Sequence, residues 1–396
     1  MTLPLDIEAL RSDTPGAAER AHLNNAGASL MPDPVWRAIT AHLELERSIG
    51  GYEAAAESRD AIAAVYQAIG HLLATAPDRI AVTENATAAF QQALSAIPFR
   101  RGDVLVTTRN DYVSNQIQYL SLAHRFGIEV VRVADGPDGT TDLDALEAAV
   151  RRRRPRLVAV SHVPTSSGLV QDVAAIGAIC RRHEVWFLLD ACQSVGQIPL
   201  EPEVIGCDFL SATARKFLRG PRGVGFLWVS DRVLDADLEP LFPDLHGADW
   251  IAEDLYQPAP GARRFENWEF PYALVLGLGA AARYALDVGV PVGGERAAHL
   301  AARLRRGLER IDGVRILDRG ARRCAIVTAA VREWTPEALV ERLREERINT
   351  SALDLASGLL DFDEKGVTGA LRLSPHYYNT DDEIDRAVEA VARLAR

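Results

Sequence analysis

The chain of 396 residues contains very little lysine. Only Lys216 and Lys365 are present, and arginine supplies the other 42 of the 44 Lys and Arg residues. A guanidinium group stays protonated, whereas a buried lysine amine can lose its proton and form a Schiff base. Lys216, in the stretch SATARKFLRGPRGVGFL (211–227), is therefore a candidate nucleophile. The alternative is that one lysine among many arginines reflects chance.

Cysteine is also scarce, and no pair has the CxxC spacing of zinc and redox sites. No basic and apolar signal stands at the N-terminus, and no apolar run is long enough to span a membrane. We therefore expect a cytoplasmic protein, in which thiols remain reduced. The four cysteines are Cys180, Cys192, Cys207 and Cys324.

An excess of basic charge is absent as well. The net charge is -11 and the pI is about 5.4, which argues against a nucleic-acid partner because phosphates require a basic face. The one strong basic run, RRRRPR (151–156), is interpreted as a solvated helix end. No GxGxxG motif follows the early strands, so a nicotinamide-dependent dehydrogenase is disfavoured.

Continuous apolar segments alternate with helix-like segments from residue 79 to about residue 230. This pattern predicts an α/β fold with a mainly parallel sheet, whose ligands bind beyond the carboxyl ends of the strands. After residue 270 the pattern is typical of a smaller α+β domain. We assign residues 21–270 to a large domain and 271–396 to a small domain, on which residues 1–20 are expected to pack.

Polar residues follow the ends of several predicted strands. In TENATAAF (83–90), the Ala86 and Thr87 amides at a helix start suit a phosphate, although Asn and Thr also cap helices routinely. Tyr112 could stack on a flat ligand or be an ordinary loop residue. Thr165 and Thr213 could donate hydrogen bonds into the same crevice.

A carboxylate, Asp190, ends the completely apolar strand VWFLLD, and burying it is costly unless it has a partner. Gln193 follows three residues later, and Lys216 follows the next strand. Together the strand ends offer a phosphate cradle, an aromatic face, hydroxyl donors, a buried carboxylate and a singular lysine. Pyridoxal 5′-phosphate uses all of these features, so the sequence predicts this cofactor.

With these residues in place, the sequence resembles the class V aminotransferase family of fold type I pyridoxal-phosphate enzymes, which includes cysteine desulfurases and isopenicillin-N-epimerase-like proteins. The resemblance runs from about Leu23 to the C-terminus. It is carried by the 211–227 stretch and by VQDVAAIGAICRR (170–182), VWFLLDACQSVGQ (185–197) and ALRLSPHYYNTDDEID (370–385).

The resemblance implies a role for each candidate residue. Lys216 would form the Schiff base with the cofactor, Asp190 would pair with the ring nitrogen, and Tyr112 would stack on the ring. Gln193 would contact the ring hydroxyl, and Arg372 would bind the substrate carboxylate. The phosphate ligands would be Ala86, Thr87 and Thr213; the further substrate contacts would be Asn25, Tyr52 and His376.

The sequence departs from the family pattern at three places. Arg215 stands where desulfurases usually have histidine, and it could contact the phosphate instead. Thr165 stands where many members have asparagine. RRFENWEF (263–270) lies where many members supply a phosphate-binding threonine to the neighbouring subunit, which leaves that contact in doubt. The resemblance otherwise implies a homodimer with active sites at the interface.

The reaction type is less well determined than the cofactor. Desulfurases carry a cysteine on a loop before the carboxylate-binding arginine, and the segment 349–369 contains none. SIGGYEAAAES (48–58) is similar to hercynylcysteine sulfoxide C–S lyases, although Gly-Gly could simply end a helix. We therefore expect an external Schiff base and an α-carbanion that leads to C–S β-elimination on an S-substituted cysteine or sulfoxide.

Several alternatives stay open from sequence. Transamination and epimerisation use the same residues, and a non-catalytic binding module on this fold is a further possibility. Arg372 predicts an amino-acid substrate, but the sequence does not identify its side chain. The segment 246–268 is expected to line the pocket.

Overall fold

A computed structural model describes residues 5–396 of the protein. The α-helices of this part of the chain are α1 Ile7–Ser12, α2 Gly16–Glu19, α3 Asp33–Ile49, α4 Gly51–Glu57, α5 Arg59–Leu72, α6 Ala86–Ala96, α7 Val113–Phe126, α8 Leu143–Arg153, α9 Val173–Arg182, α10 Pro202–Ile205, α11 Asp231–Asp235, α12 Tyr272–Val288, α13 Val290–Leu308, α14 Pro336–Glu345, α15 Leu359–Lys365 and α16 Asp381–Leu394. The strands are β1 Ala21–His22, β2 Ile80–Thr83, β3 Val104–Thr108, β4 Glu129–Val133, β5 Leu157–Ser161, β6 Trp186–Asp190, β7 Phe209–Thr213, β8 Gly225–Val229, β9 Ala248–Ala252, β10 Leu255–Pro258, β11 Val314–Ile316, β12 Val327–Val331, β13 Ile348–Asn349, β14 Ser351–Asp354 and β15 Gly369–Leu373.

Seven strands form the central sheet in the order β2-β8-β7-β6-β5-β3-β4. Strand β8 pairs antiparallel with both of its neighbours, and the other pairs are parallel. The central strands are buried along their whole length, which explains their continuous apolar sequences. The α/β fold with a mainly parallel sheet is therefore confirmed.

Helix α6 lies very close to this sheet. Its N-cap residue, Asn85, accepts a hydrogen bond from the Ala88 amide through its side chain. On the neighbouring strand β8, a Cβ atom at Gly225 would lie only 2.9 Å from the Ala86 nitrogen. Glycine at this position therefore allows the start of α6 to rest at the carboxyl end of the parallel strands.

A second sheet, in the order β11-β12-β15-β14, is antiparallel and packs with α13, α14 and α16. The chain before β1 packs on the C-terminal region, where Leu10 and Ala17 cluster with Tyr377 and Tyr378. Strand β1 also pairs in parallel with β13. These contacts link both ends of the described chain.

Helix α12, which we placed in the small domain, shares the core of the large domain. Its buried residues cluster with strands of the seven-stranded sheet and with α3 and α5. A Cβ atom at Gly277 would lie 2.7 Å from Ile39 Cγ1, and one at Gly279 would lie 2.7 Å from Val65 Cγ2. The small residues of α12 thus allow close helix packing. The change in sequence pattern near residue 271 does not mark the edge of the hydrophobic core of the large domain.

Within residues 5–396 no single helix has both the length and the apolar character needed to cross a bilayer. Helices α12 and α13 together have the length and composition of a membrane span, but they meet at a bend of 80°. Most of α12 faces the protein core as described above.

Candidate active site

A cavity of about 420 Å³ opens at the carboxyl ends of β5, β6 and β7. It brings together residues that are far apart in the sequence, because the carboxyl ends of parallel strands meet at one edge. Nine predicted site residues line it: Ala86, Thr87, Tyr112, Thr165, Asp190, Gln193, Thr213, Arg215 and Lys216.

Lys216 lies in the turn between β7 and β8 and is 8% exposed. Its Nζ atom lies 5.8 Å from the centre of the Tyr112 ring. Burial lowers the pKa of Lys216, with Arg215 and Arg372 acting in the same direction and Cys192 and Asp190 opposing them. A lowered pKa increases the fraction of neutral amine, which is the form that can attack a carbonyl carbon.

Arg219 anchors the turn that carries Lys216. Its backbone amide donates to the Lys216 carbonyl at 2.9 Å, and its φ of 62° lies in the left-handed region. The buried guanidinium donates to Thr14 Oγ1 at 2.6 Å and lies 4.4 Å from the centre of the Tyr378 ring. No carboxylate within residues 5–396 lies within 4.0 Å of it. Tyr378 therefore supports the turn that carries Lys216 through its contact with Arg219.

Replacing Arg219 with methionine is expected to lower the free energy of unfolding by about 3 kcal/mol, because buried hydrogen-bond acceptors lose their donor and packing is lost. Arg222→Met is the matched control, since Arg222 is exposed in the same glycine-rich turn and should change stability by less than about 0.5 kcal/mol. Urea denaturation at fixed cofactor concentration measures both. Equal effects of the two substitutions would contradict the anchoring role.

Asp190 ends β6 as a buried carboxylate without a cationic partner. Its Oδ1 accepts from the Cys192 amide at 2.9 Å, and its Oδ2 accepts from Asn115 Nδ2 at 3.1 Å. Within the described chain no lysine or arginine nitrogen lies within 4.0 Å of it. A buried, unpaired carboxylate facing a cavity suits a ligand that carries a positive charge.

The start of α6 provides donors for a phosphate. Asn85 occupies the Ala88 amide with its side chain and the Ala89 amide with its carbonyl. This leaves the Ala86 and Thr87 amides available at the positive end of the helix dipole. Arg215, which also donates to the Gly27 carbonyl, and the Thr213 hydroxyl line the same part of the cavity.

Gln193 and Thr165 border the ring-binding part of the cavity. Gln193 Nε2 donates to Thr165 Oγ1 and to the Ala26 carbonyl, both at 3.2 Å. Gln193 Oε1 is buried and has no partner within residues 5–396. Buried polar atoms are normally hydrogen-bonded, so this oxygen is suited to accept a hydrogen bond from a polar ligand bound in the cavity.

Arg372 lies on β15, beside the cavity but in the second sheet. Its guanidinium donates weakly to the Thr165 carbonyl at 3.4 Å, and its Nε has no partner in the described chain. Burial, together with the nearby Arg215, lowers the pKa of Arg372 to about 10. A buried guanidinium without a carboxylate is suited to binding one from a substrate.

Two of the predicted substrate contacts, Asn25 and His376, are not among the residues that line the cavity. Asn25 is buried and uses its amide on the His22 and Ser374 carbonyls, while Tyr378 donates to its oxygen. His376 Nε2 bonds to the Phe217 carbonyl. Both side chains therefore support the site through internal hydrogen bonds.

Tyr52 lies on α4, is 77% exposed and is not among the residues that line the cavity. The segment 246–268 contributes no lining residue in the described chain and instead forms a hairpin of β9 and β10. Asn267 Nδ2 donates to Glu84 Oε1 at 3.0 Å, next to the phosphate cradle. These parts of the chain do not line the cavity within one subunit.

Sequence reasoning missed Asp111, Asn115 and Ser161. Asn115 and Ser161 each lie within hydrogen-bond distance of both Asp111 and Asp190. Asp111 and Asn115 flank Tyr112 in NDYVSNQ, and Ser161 ends β5, so their positions at strand ends were a usable signal. Within residues 5–396 no group of three or more His, Cys, Asp or Glu is placed to hold a metal ion. The donor set fits pyridoxal phosphate: an amine, a carboxylate, an aromatic face and a phosphate cradle.

Comparison with known proteins supports this assignment. The family described as aminotransferase class V matches residues 21–387. A probable cysteine desulfurase of Methanothermobacter thermautotrophicus is 28% identical over 98% of each chain, and probable cysteine desulfurase 2 of Mycobacterium leprae is 30% identical over 98% of this chain and 97% of its own.

Solved structures show the same fold. The apo cysteine desulfurase of Thermococcus onnurineus NA1 superposes with a TM-score of 0.91 at 23% identity, over 100% of this chain and 99% of that one. A complex of the cystine C–S lyase C-DES with its reaction product cysteine persulfide superposes with a TM-score of 0.85 at 26% identity, over 96% and 99%. The predicted cofactor and enzyme class are confirmed: the chain belongs to the class V aminotransferase family and is a pyridoxal-phosphate-dependent enzyme.

Proposed function

We propose that this enzyme cleaves the C–S bond of an S-substituted cysteine, or of its sulfoxide, by β-elimination. The observation that carries the proposal is the segment before Arg372. Residues 349–369 contain no cysteine and fold into β14, a short 3₁₀ turn and α15. A reaction that transfers sulfur to a loop thiol has no thiol here to receive it.

Cys192 is the one cysteine that lines the cavity, and it is poorly suited to accept sulfur. Burial and, after it, the Asp190 carboxylate raise the pKa of Cys192 well above its ordinary value. The thiolate is the nucleophilic form, so a raised pKa suppresses this chemistry. The other three cysteines are buried outside the cavity.

Relatives are consistent with more than one C–S chemistry. The curated relatives above are named probable cysteine desulfurases, whereas one solved neighbour above 25% identity is a cystine C–S lyase. Both classes act on sulfur-bearing amino acids. The missing loop thiol favours the lyase for this chain, and transamination is the alternative outcome of the test below.

Bound pyridoxal phosphate supplies an electron sink for the electron pair left when the substrate loses its α-proton. Arg372 binds the substrate carboxylate, and Lys216 Nζ takes the proton from the α-carbon. Asp190 would hold the proton of the ring nitrogen of the bound cofactor, and Tyr112 would cover one face of the ring. The C–S bond breaks with its electron pair leaving on sulfur. The remaining enamine takes up water to give pyruvate and ammonia.

We also infer that the enzyme works as a homodimer. The segment 241–268 exposes large apolar side chains, with Phe242 and Trp250 each 80% exposed. Exposed apolar surface of this extent is typical of subunit interfaces. An interface here would bury these exposed apolar side chains.

The test of the lyase proposal is the product formed from a panel of S-substituted cysteines and their sulfoxides, without an added 2-oxo acid. Pyruvate and ammonia in equal amounts, absent with Lys216→Ala, support β-elimination. Alanine with released sulfur indicates desulfuration, and turnover only after a 2-oxo acid is added indicates transamination. Either result overturns the proposal.

Replacing Cys192 with alanine is expected to change pyruvate release by less than about threefold, because the thiol is protonated and takes no part in elimination. Initial rates with the best substrate measure this effect. Cys180→Ala, at a buried position outside the cavity, is the matched control. Loss of activity only in the Cys192 variant would point to a sulfur-accepting thiol.

A further inference from the structure

Asp111 is a second buried carboxylate directly behind Asp190. It lies between β3 and α7, is 8% exposed, and is absent from the residues that line the cavity. Burial of a carboxylate at this depth requires several donors. Its donors are Ser161 Oγ at 2.6 Å, the Tyr112 amide at 2.7 Å, Asn115 Nδ2 at 3.1 Å, Thr107 Oγ1 at 3.1 Å and Gln116 Nε2 at 3.2 Å.

The two carboxylates are joined through shared donors. Asn115 Nδ2 lies 3.1 Å from Asp111 Oδ1 and 3.1 Å from Asp190 Oδ2, so its two hydrogens can serve both. Ser161 Oγ lies 2.6 Å from Asp111 and 3.4 Å from Asp190, so its single hydrogen goes to Asp111. The polar contacts of Asp190 and Asp111 thus form one network.

The hydrogen-bond donors around Asp111 suit its ionised form. The pKa of Asp111 is nevertheless raised, because burial and the Asp190 charge outweigh the hydrogen bonds from Ser161, Asn115 and the Tyr112 amide. The side-chain amides and the backbone amide can only donate to it, which suits a carboxylate rather than a carboxylic acid. The titratable groups that face the pair are Tyr119 on α7, Tyr112 just before α7, Cys192 after β6, and Lys216 with Arg215 after β7.

We propose that Asp111 is a positioning residue that acts through Asp190: its negative charge makes Asp190 a stronger acceptor, so that the ring nitrogen of the cofactor keeps its proton. A second negative charge behind a carboxylate raises its affinity for a proton or for a cation. The inference rests on the proposed pairing of Asp190 with the ring nitrogen. Tyr112, held by the Asp111 carboxylate through its amide, is positioned by the same contact.

The test uses the holoenzyme loaded with pyridoxal phosphate that carries ¹⁵N in the ring. The ¹⁵N chemical shift, followed against pH, reports directly whether the ring nitrogen is protonated. Asp111→Asn is expected to lower the pH at which this proton is lost by roughly 1–2 units, because a neighbouring negative charge is removed. Asp111→Ser provides a second neutral side chain if the first variant does not fold, and Asp111→Glu should restore the wild-type titration.

Two controls separate the possible failures. Asp208→Asn removes another buried carboxylate, which accepts from the Phe187 amide at the opposite end of β6, and it should leave the ring titration unchanged. Asp190→Asn should shift the ring titration further than Asp111→Asn. No shift with Asp190→Asn would overturn the pairing itself. A shift with Asp190→Asn but none with Asp111→Asn or Asp111→Ser would overturn only the role of Asp111.

Discussion

Lys216→Ala is expected to lower kcat/KM by about 10³–10⁴-fold or more, because it removes the group that moves the α-proton. Lys216→Arg should be almost equally inactive, although it keeps the positive charge, since a guanidinium does not deprotonate. Steady-state rates of pyruvate release measure both variants. An active arginine variant would show that charge alone is needed at this position.

The matched control for Lys216 is the only other lysine. Lys365 Nζ lies 2.6 Å from Asp361 Oδ2, and both side chains are buried on α15. Lys365→Met should cost stability, because Asp361 is left buried and unpaired. At a temperature where the variant is folded it should retain the visible absorption of the bound cofactor, which Lys216→Ala should change. The opposite pattern would contradict the assignment of Lys216.

Arg372→Lys is expected to raise KM by about 10²-fold, because one flexible ammonium group replaces a planar, two-pronged donor to the substrate carboxylate. The guanidinium has no internal carboxylate within residues 5–396, so a substrate is its best partner. The measurement is KM for the best S-substituted cysteine, compared with kcat to separate binding from chemistry.

The control for Arg372 lies in the substrate. An S-substituted cysteamine lacks the carboxylate and should react poorly with the wild-type enzyme. Arg372→Lys should not weaken its reaction further, because the interaction is already absent. An equal loss for both substrates would mean that Arg372 supports the fold of the cavity and does not bind the carboxylate.

The parts of the site that were predictable from the sequence depend on local patterns. The apolar strands of the central sheet end at Asp190 and shortly before Lys216, and Ala86 and Thr87 are the first two residues of α6. The carboxyl ends of parallel strands converge, so knowing the fold class was enough to place such residues together. Asn85 shows the same local character, because its capping role depends only on the next three residues.

The parts that were not predictable depend on packing between distant segments. Asn25 and His376 look like polar site residues, but internal carbonyls use their donors. The sequence pattern of α12 favours its assignment to the small domain. Its glycines nevertheless pack against Ile39 and Val65, which lie more than 200 positions earlier in the chain. A role for Asp111 can be inferred only when Ser161 is known to lie close to both Asp111 and Asp190. No pattern of neighbouring residues in the sequence predicts these contacts.

The most direct test of the account is to trap the link between protein and cofactor with borohydride and locate it by peptide mass spectrometry. The chain offers only two amines on lysine side chains, Lys216 and Lys365. We expect a phosphopyridoxyl group on the peptide that contains Lys216 and none on the peptide that contains Lys365. Label on Lys365, or on neither lysine in a protein that binds the cofactor, would contradict the central claim.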